Sequence, residues 1–483
     1  MTKRTGCLIL ALLTLSIATP PPADSKQDNP YLAVAGLIDL RSSFSDGSHT
    51  IEELVQLARS RGFKVIFIND HNRIALSYGI PPFRRLLRYK KEYSSIITHG
   101  AEKFLAEIER VSEKYPDTII IPGALTSPFY YWTGSWLAGN LTVHEYDRRI
   151  LIINFNKAKD YEQIPSLGNK LSFRNTGHLL PGMLVFVFPL IVGLILLKRK
   201  GISRIIGIVL TLLSILAIID YNPFRSSLFS PYHGDPGVKP FQAVIDYANE
   251  KGGLSFWNYP EQQSGVRKHG PIYVNTPPYP QVLAQTENYT GFSAIYGDNI
   301  SITRPGREWD RVLIEYCLGV RAKPPWGIST ADFHEDGRLG LKLGAFPTTF
   351  LVREFSKEAV LDAMKKGRMY CSRGDGRVWP KLDYFNIVGG STETAYMGET
   401  LTSSHLPVIR FKVSNPTKKK SQITMALIRG GNLIETFTSE APMEAEYRDK
   451  GIPPYELTYY RLMDTKEQFV SNPIFIKYEP PFP

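Results

Sequence analysis

The stretch DLRSSFSDGSHTIEELVQLARSRGFKVIFINDHN, residues 39–72, decides the fold. It reads as one unit: a strand end, a polar turn, a helix, a strand and a second polar turn. Thr50 and Glu53 have the spacing of a capping box, in which each side chain satisfies the other's backbone amide. Ile51, Leu54, Val55 and Ala58 recur on one helical face, and Gly62 can stop the helix. FKVIFI is a short apolar strand ending at Asn69-Asp70-His71-Asn72. The ionisable residues Asp39, Asp46, Asp70 and His71 therefore all follow strands.

Outward from this unit the rhythm repeats. YLAVAGLIDL, TIIIPG, RRILIINF, LSFWNYP, TGFSAIYG and WGISTADFH read as strands. GAEKFLAEIERVSEKYPD, PFQAVIDYANEKGG and WDRVLIEYCLGV read as helices. Strands alternating with helices imply a parallel sheet, and this number of units fits a barrel. Active residues of such barrels stand at the C-terminal strand ends. The last strand closes on Asp332 and His334. Taken singly, an Asp-His pair after a strand is more often a turn or helix cap than a ligand. Three strand ends that each present carboxylate or imidazole are how a convergent metal site is built.

The 483 residues suffice for two or three domains, and the net charge of +11 suits an anionic partner. A membrane surface is favoured over nucleic acid because apolar segments accompany the charge. Lys3 and Arg4 precede an apolar run, Cys7 to Ala18, with small residues at Ser16-Ile17-Ala18. This fits a secretory signal or an N-terminal anchor over residues 1–25. In mid-chain, Leu179–Leu197 and Ile205–Ile219 flank KRKGISR, residues 198–204. That pattern predicts a transmembrane hairpin over 177–224 with its basic loop in the cytoplasm. The main domains then lie on the extracytoplasmic side of the cell membrane, in a multi-pass chain. Cys317 and Cys371 could pair in an exported protein, but no other feature supports a bridge.

FSDGSHTIEELVQLARSRGFKVIFINDHN resembles the opening of a PHP (polymerase and histidinol phosphatase) domain. IIPGALTSPFYYWTG, GGLSFWNYPE and STADFH are similar to its later motifs, so the resemblance runs from about Gly36 to His334 around the hairpin. The segments AMKKGRMYCS and YYRLMDTKEQFVSNPIFIKY resemble the tail of the CehA/McbA-like branch. The resemblance implies a distorted (β/α)7 barrel and metal-dependent, phosphoesterase-type hydrolysis. The barrel occupies residues 31–176 and 225–346. Residues 347–483, with short apolar strands and turn signals, read as a β-sandwich.

The ligand set departs from the family pattern. Asp39 and Arg41 stand where it has His-x-His. Leu125 replaces its bridging glutamate, Arg149 a histidine, and Tyr259 the histidine of His-Pro, with Asn258 beside it. Asp46, Asp70, His71, Asp332 and His334 match and are the expected metal ligands, with His71, Asp332 and His334 the expected catalytic residues. Leucine cannot bridge metals and arginine cannot shed its proton to bind one. At most one divalent ion per chain (Zn, Mn or Fe) is therefore expected. Arg41 and Arg149 could pair with the four carboxylates or hold an anionic small molecule. Two readings follow: a membrane-tethered hydrolase with a reduced site, or a catalytically inactive binding or scaffold module.

Overall fold

Seven short strands form the half of the molecule that carries the expected site: Leu32–Leu40, Val65–Ile68, Ile119–Thr126, Arg149–Ile153, Leu254–Asn258, Gly291–Ile295 and Trp326–Ser329. The computed structural model describes residues 30–298, 300–338, 341–390, 393–415 and 422–481. The apolar run Cys7–Ala18 lies outside them. Most of these strands are apolar without alternation and buried along most of their length, as expected of strands covered on both faces. Helices Ile51–Ser60, Ala101–Lys114, Lys239–Glu250 and Glu308–Cys317 connect them, each burying an apolar stripe. Both halves of the Thr50–Glu53 capping box are formed.

The strands lie side by side in one sheet, in chain order. One expectation fails: the sheet is not wholly parallel. Arg149–Ile153 runs antiparallel to both Ile119–Thr126 and Leu254–Asn258. The reason lies in the connection. A parallel return needs a long crossover, usually a helix. Residues 127–148 hold only the short strands Tyr131–Thr133 and Thr142–His144. The reversal puts Arg149, at the start of its strand, level with Asn258, at the end of the next.

Beyond Ser329 the last strand's continuation bonds back to the first. Ala331 N–H donates to Ile38 C=O (3.1 Å), Phe333 N–H to Asp39 C=O (3.2 Å) and Arg41 N–H to Phe333 C=O (2.9 Å). Nearer its start the same edge of Leu32–Leu40, the one away from Val65–Ile68, pairs antiparallel with Pro347–Val352. Through that strand the sheet continues into Met369–Ser372, Phe469–Ser471, Leu457–Asp464, Gln422–Arg429 and Asn432–Glu440. A separate four-stranded antiparallel sheet, built around Lys381–Val388 and Val408–Ser414, faces it across its own core of residues such as Phe385, Phe411, Leu427 and Leu462. The C-terminal part is thus a two-sheet sandwich whose first strand also borders the seven strands above. Cys317 and Cys371 are both free.

The mid-chain insertion forms helices Thr176–Leu184, Val187–Leu197 and Ile202–Tyr221. Pro189, in the first turn of the second helix, has no N–H to continue the ladder from the first, and the break falls just before it. Thr176–Leu197 and Ile202–Tyr221 are long and apolar enough to cross a membrane, and their large apolar side chains are mostly exposed. The ends of the insertion are pinned together: Asn175 Nδ2 donates to Ser226 C=O (3.0 Å) and Ser172 N–H to Phe224 C=O (3.1 Å).

Candidate functional site

Arg41 occupies the middle of the site, and its side chain is fully buried. Nη1 donates to Asp39 Oδ1 and to Asn69 C=O, both at 2.7 Å. Nη2 donates to Asp332 Oδ1 at 2.9 Å. Nε lies 3.9 Å from Asp46 Oδ1 and has no hydrogen-bond partner. One guanidinium thus faces three of the four carboxylates singled out in the sequence. Burial would favour its neutral form, but the charges of Asp39, Asp332 and Asp46 outweigh that and hold its pKa above the ordinary arginine value.

The carboxylates divide according to their partners. Burial raises the pKa of Asp39 despite Arg41. Its Oδ2 accepts from Asn258 Nδ2 (2.9 Å) and from the Tyr259 hydroxyl. Asp332 is also desolvated, but Arg41 and then Arg149 hold its carboxyl below the usual range. Asp70 is held by serines. It accepts from Ser42 N–H (2.8 Å), Ser42 Oγ (2.6 Å) and Ser45 Oγ (2.5 Å), and burial pushes its pKa up. Asp46 Oδ2 faces His334 Nε2 at 3.0 Å and His71 Nε2 at 3.6 Å. Burial opposes its ionisation, but those two imidazoles outweigh the penalty and its carboxyl stays well below the usual range. His71 is buried, and desolvation followed by the nearby Arg41 charge brings its pKa down to about 4.

Backbone geometry marks the same place. Asp39, Tyr259 and Asp332 all have left-handed φ values, 71°, 50° and 44°. Aspartate tolerates such angles, whereas Tyr259 holds one only because its surroundings enforce it. Asn69 helps to hold Asp39, because its Oδ1 accepts from Asp39 N–H at 3.0 Å. Gly123 makes room for this: a Cβ there would stand 2.2 Å from Asn69 Nδ2.

The expected site residues are therefore brought together, but in unequal roles. Asp46 faces both His71 and His334. Asp332 is engaged by Arg41, and Asp70 by two serines. Leu125 is buried in its strand, and its amide bonds to Asp70 C=O. Arg149 is half-buried and lies 3.4 Å from Asp147 rather than on any of the four carboxylates. Sequence reading noted Asn258 and Tyr259 only as replacements in a ligand motif, and gave Asn69, Ser42 and Ser45 no role. The hydroxyl-rich SSFS run beside an aspartate was the available signal for two of them.

These residues do not fit a two- or three-metal centre. The space between Asp39 and Asp332 is filled by a cation that is part of the chain. Among the described residues no group of three or more His, Cys, Asp or Glu side chains is arranged to hold a metal ion. Asp46, His71 and His334 come nearest, with Asp46 Oδ2 facing both Nε2 atoms.

Above the site, the hairpin Ile74–Gly79/Arg88–Tyr93 and the small sheet containing Gly265–His269 and Ile272–Thr276 help to wall a cavity of about 1540 Å³. Its lining runs from Asp46, His71 and Arg149 to Ile80, Trp136 and Leu137. Tyr130 and Trp132 line it too, and they also pack with Leu141, Val143 and Val274.

No protein-family model matches the chain, and no curated protein does. Among solved structures, it is similar to a two-domain protein from Bacteroides vulgatus containing a predicted PHP-like metal-dependent phosphoesterase. The identity is 12%, over 90% of this chain and 91% of that one, with a TM-score of 0.36. A protein from Bifidobacterium adolescentis assigned as a metal-dependent phosphoesterase is 13% identical over 62% of this chain and 87% of its own, with a TM-score of 0.27. An amidohydrolase from Chromobacterium violaceum, with bound sulfate and no metal, is 12% identical over 63% and 88%, also with a TM-score of 0.27.

Proposed function

We propose that this chain is a membrane-tethered, PHP-like binding module in which Arg41 has taken the place of catalytic metal. One observation carries the reading: a fully buried guanidinium hydrogen-bonded to both Asp39 and Asp332. A divalent cation entering between those carboxylates would have to displace it, leaving a desolvated positive charge beside the ion. The seven strands, joined at Ile38–Arg41 and Ala331–Phe333, are read as a distorted (β/α)7 barrel with one strand reversed. The two exposed apolar helices are read as the tether, with residues 198–204 in the cytoplasm and the barrel and sandwich outside. Arg149, at the cavity floor, is read as a contact for an anionic ligand.

A second reading, a hydrolase with one residual divalent ion, has its own observation. Asp46 Oδ2 faces the Nε2 atoms of both His71 and His334. Elemental analysis separates the two. The purified chain is expected to retain substoichiometric metal and to leave phosphoester substrates intact. Arg41→His, which removes the internal cation and restores a ligand, is expected to gain metal. Stoichiometric metal in the unaltered chain, with hydrolysis abolished in His334→Ala, would establish the second reading instead.

A further inference from the structure

The cavity lies between the surroundings of Arg41 and the end of the second apolar helix. Its far wall includes Ile80 and Pro81, at the turn of the hairpin Ile74–Gly79/Arg88–Tyr93. That turn is fastened to the end of the second apolar helix. Asp220, its penultimate residue, accepts from Arg85 N–H (2.7 Å) and Leu86 N–H (2.9 Å), while Arg85 Nη1 donates to Tyr221 C=O (2.6 Å). The chain leaving the helix then returns to the same hairpin, where Tyr232 accepts from Gly79 N–H at 2.5 Å.

If Ile202–Tyr221 crosses a bilayer, the 80–87 turn lies at its surface, and its side chains suit that place. Ile80, Leu86 and Leu87 are exposed, interleaved with Arg84, Arg85 and Arg88. Trp136 and Leu137, on the cavity rim, are 59% and 96% exposed. Exposed aromatic and aliphatic side chains among arginines are the make-up of an interfacial surface. The lining itself is mostly apolar and carries Arg73, Lys91, Arg149, Arg267 and Lys268 against Asp46 and Asp147, with Arg149 and Arg267 sharing Asp147 and Arg73 paired with Glu92.

We infer that this cavity takes an acidic phospholipid drawn from the membrane that holds the chain. Its acyl chains would lie along the Ile80, Leu76 and Trp136 wall, and its phosphate would lie towards Arg149, Arg267 and Lys268. The inference rests on the membrane-tethered reading above and names the ligand class of the proposed module. The continuity between helix end, turn and cavity wall favours a bilayer lipid over a soluble anion, which would need neither the apolar wall nor the rim.

The test uses the delipidated full chain in detergent, titrated separately with phosphatidylglycerol, phosphatidylcholine and glycerol 3-phosphate. Bound mass is read by native mass spectrometry, and water-soluble products are assayed in parallel. One intact phosphatidylglycerol per chain is expected, held at least about tenfold more tightly than phosphatidylcholine. The double variant Arg267→Glu/Lys268→Glu changes exposed residues of a surface strand and is expected to abolish that preference. Trp136→Glu/Leu137→Glu, at the rim, is expected to weaken both lipids. Equal binding of the two lipids, or glycerol 3-phosphate binding as well as phosphatidylglycerol, would overturn the lipid inference and leave the silent-module reading standing. Selective binding followed by cleavage would uphold the lipid and overturn the silent module.

Discussion

At the scale of single residues, the site reflects which groups can be desolvated together. Arg41 was recognisable in the sequence as a non-ligand, and its pairing with carboxylates was considered there. Which carboxylates it meets was not legible, because that depends on the left-handed turns at Asp39 and Asp332. Asp70 was read as a ligand for its position after a strand, yet the hydroxyls of Ser42 and Ser45 satisfy it first. Elsewhere, Asp464 shows the cost of an incompletely compensated charge. It is buried and accepts from Gln468 N–H (2.6 Å) and Phe469 N–H (2.8 Å), yet desolvation pushes its pKa from 3.8 up to about 6. A carboxyl raised in the folded state favours folding while protonated. That contribution is full below about pH 4 and is lost as pH rises through about 6. Asp464→Asn retains an acceptor for the two amides and removes the titration. It is expected to be more stable than the unaltered chain at pH 7, by roughly 1–3 kcal/mol, and no more stable at pH 4. Urea unfolding at the two pH values measures this, and an equal effect at both would refute it.

At the scale of elements, the strands and helices were largely legible because each carries its own periodicity or apolar run. The helix Ile51–Ser60 buries the four residues that its spacing singles out. Direction was not legible: Arg149–Ile153 is as apolar as its neighbours, and only the missing crossover helix reverses it. The polar hairpins that wall the cavity were also missed, since Arg88–Tyr93 and Gly265–His269 are exposed and have no apolar pattern. The joint between the two halves depends on a buried pair. Arg461 Nε and Nη2 donate to the two carboxylate oxygens of Asp310, both at 2.7 Å, and the Tyr459 hydroxyl donates to the same carboxylate. This ties helix Glu308–Cys317 to strand Leu457–Asp464. Removing one partner strands the other charge. Arg461→Met is therefore expected to cost roughly 3–5 kcal/mol, and Arg461→Met/Asp310→Leu considerably less than the sum of its single changes. Denaturant midpoints for the three variants form the cycle, and simple additivity would show that the pair is not coupled.

For the whole molecule, hydropathy alone located the insertion, whereas its relation to the cavity could not be read, because Asp220 meets Arg85 and Leu86 across more than 130 residues of chain. The proposed orientation makes a direct expectation. With the native cysteines replaced by serine, single cysteines at Ser203 and Ser230 should be labelled from opposite sides of the membrane, and labelling of both from outside would rule out a cytoplasmic loop. The pinned ends of the insertion support a further one. Asn175 and Ser226 are already bonded to each other, so a short Gly/Ser linker can replace residues 177–221 with little loop-closure cost. Once residues 1–25 are also removed, the product is expected to be soluble and to unfold cooperatively, since the core formed by the seven strands draws almost nothing from the apolar helices. The damage should be local. Arg85 and Leu86 lose the carboxylate of Asp220, so amide exchange is expected to accelerate over residues 74–93 while strands such as Val65–Ile68 and Ile119–Thr126 stay protected. Faster exchange throughout those strands would mean that the apolar helices support the seven-stranded core itself rather than the turn alone.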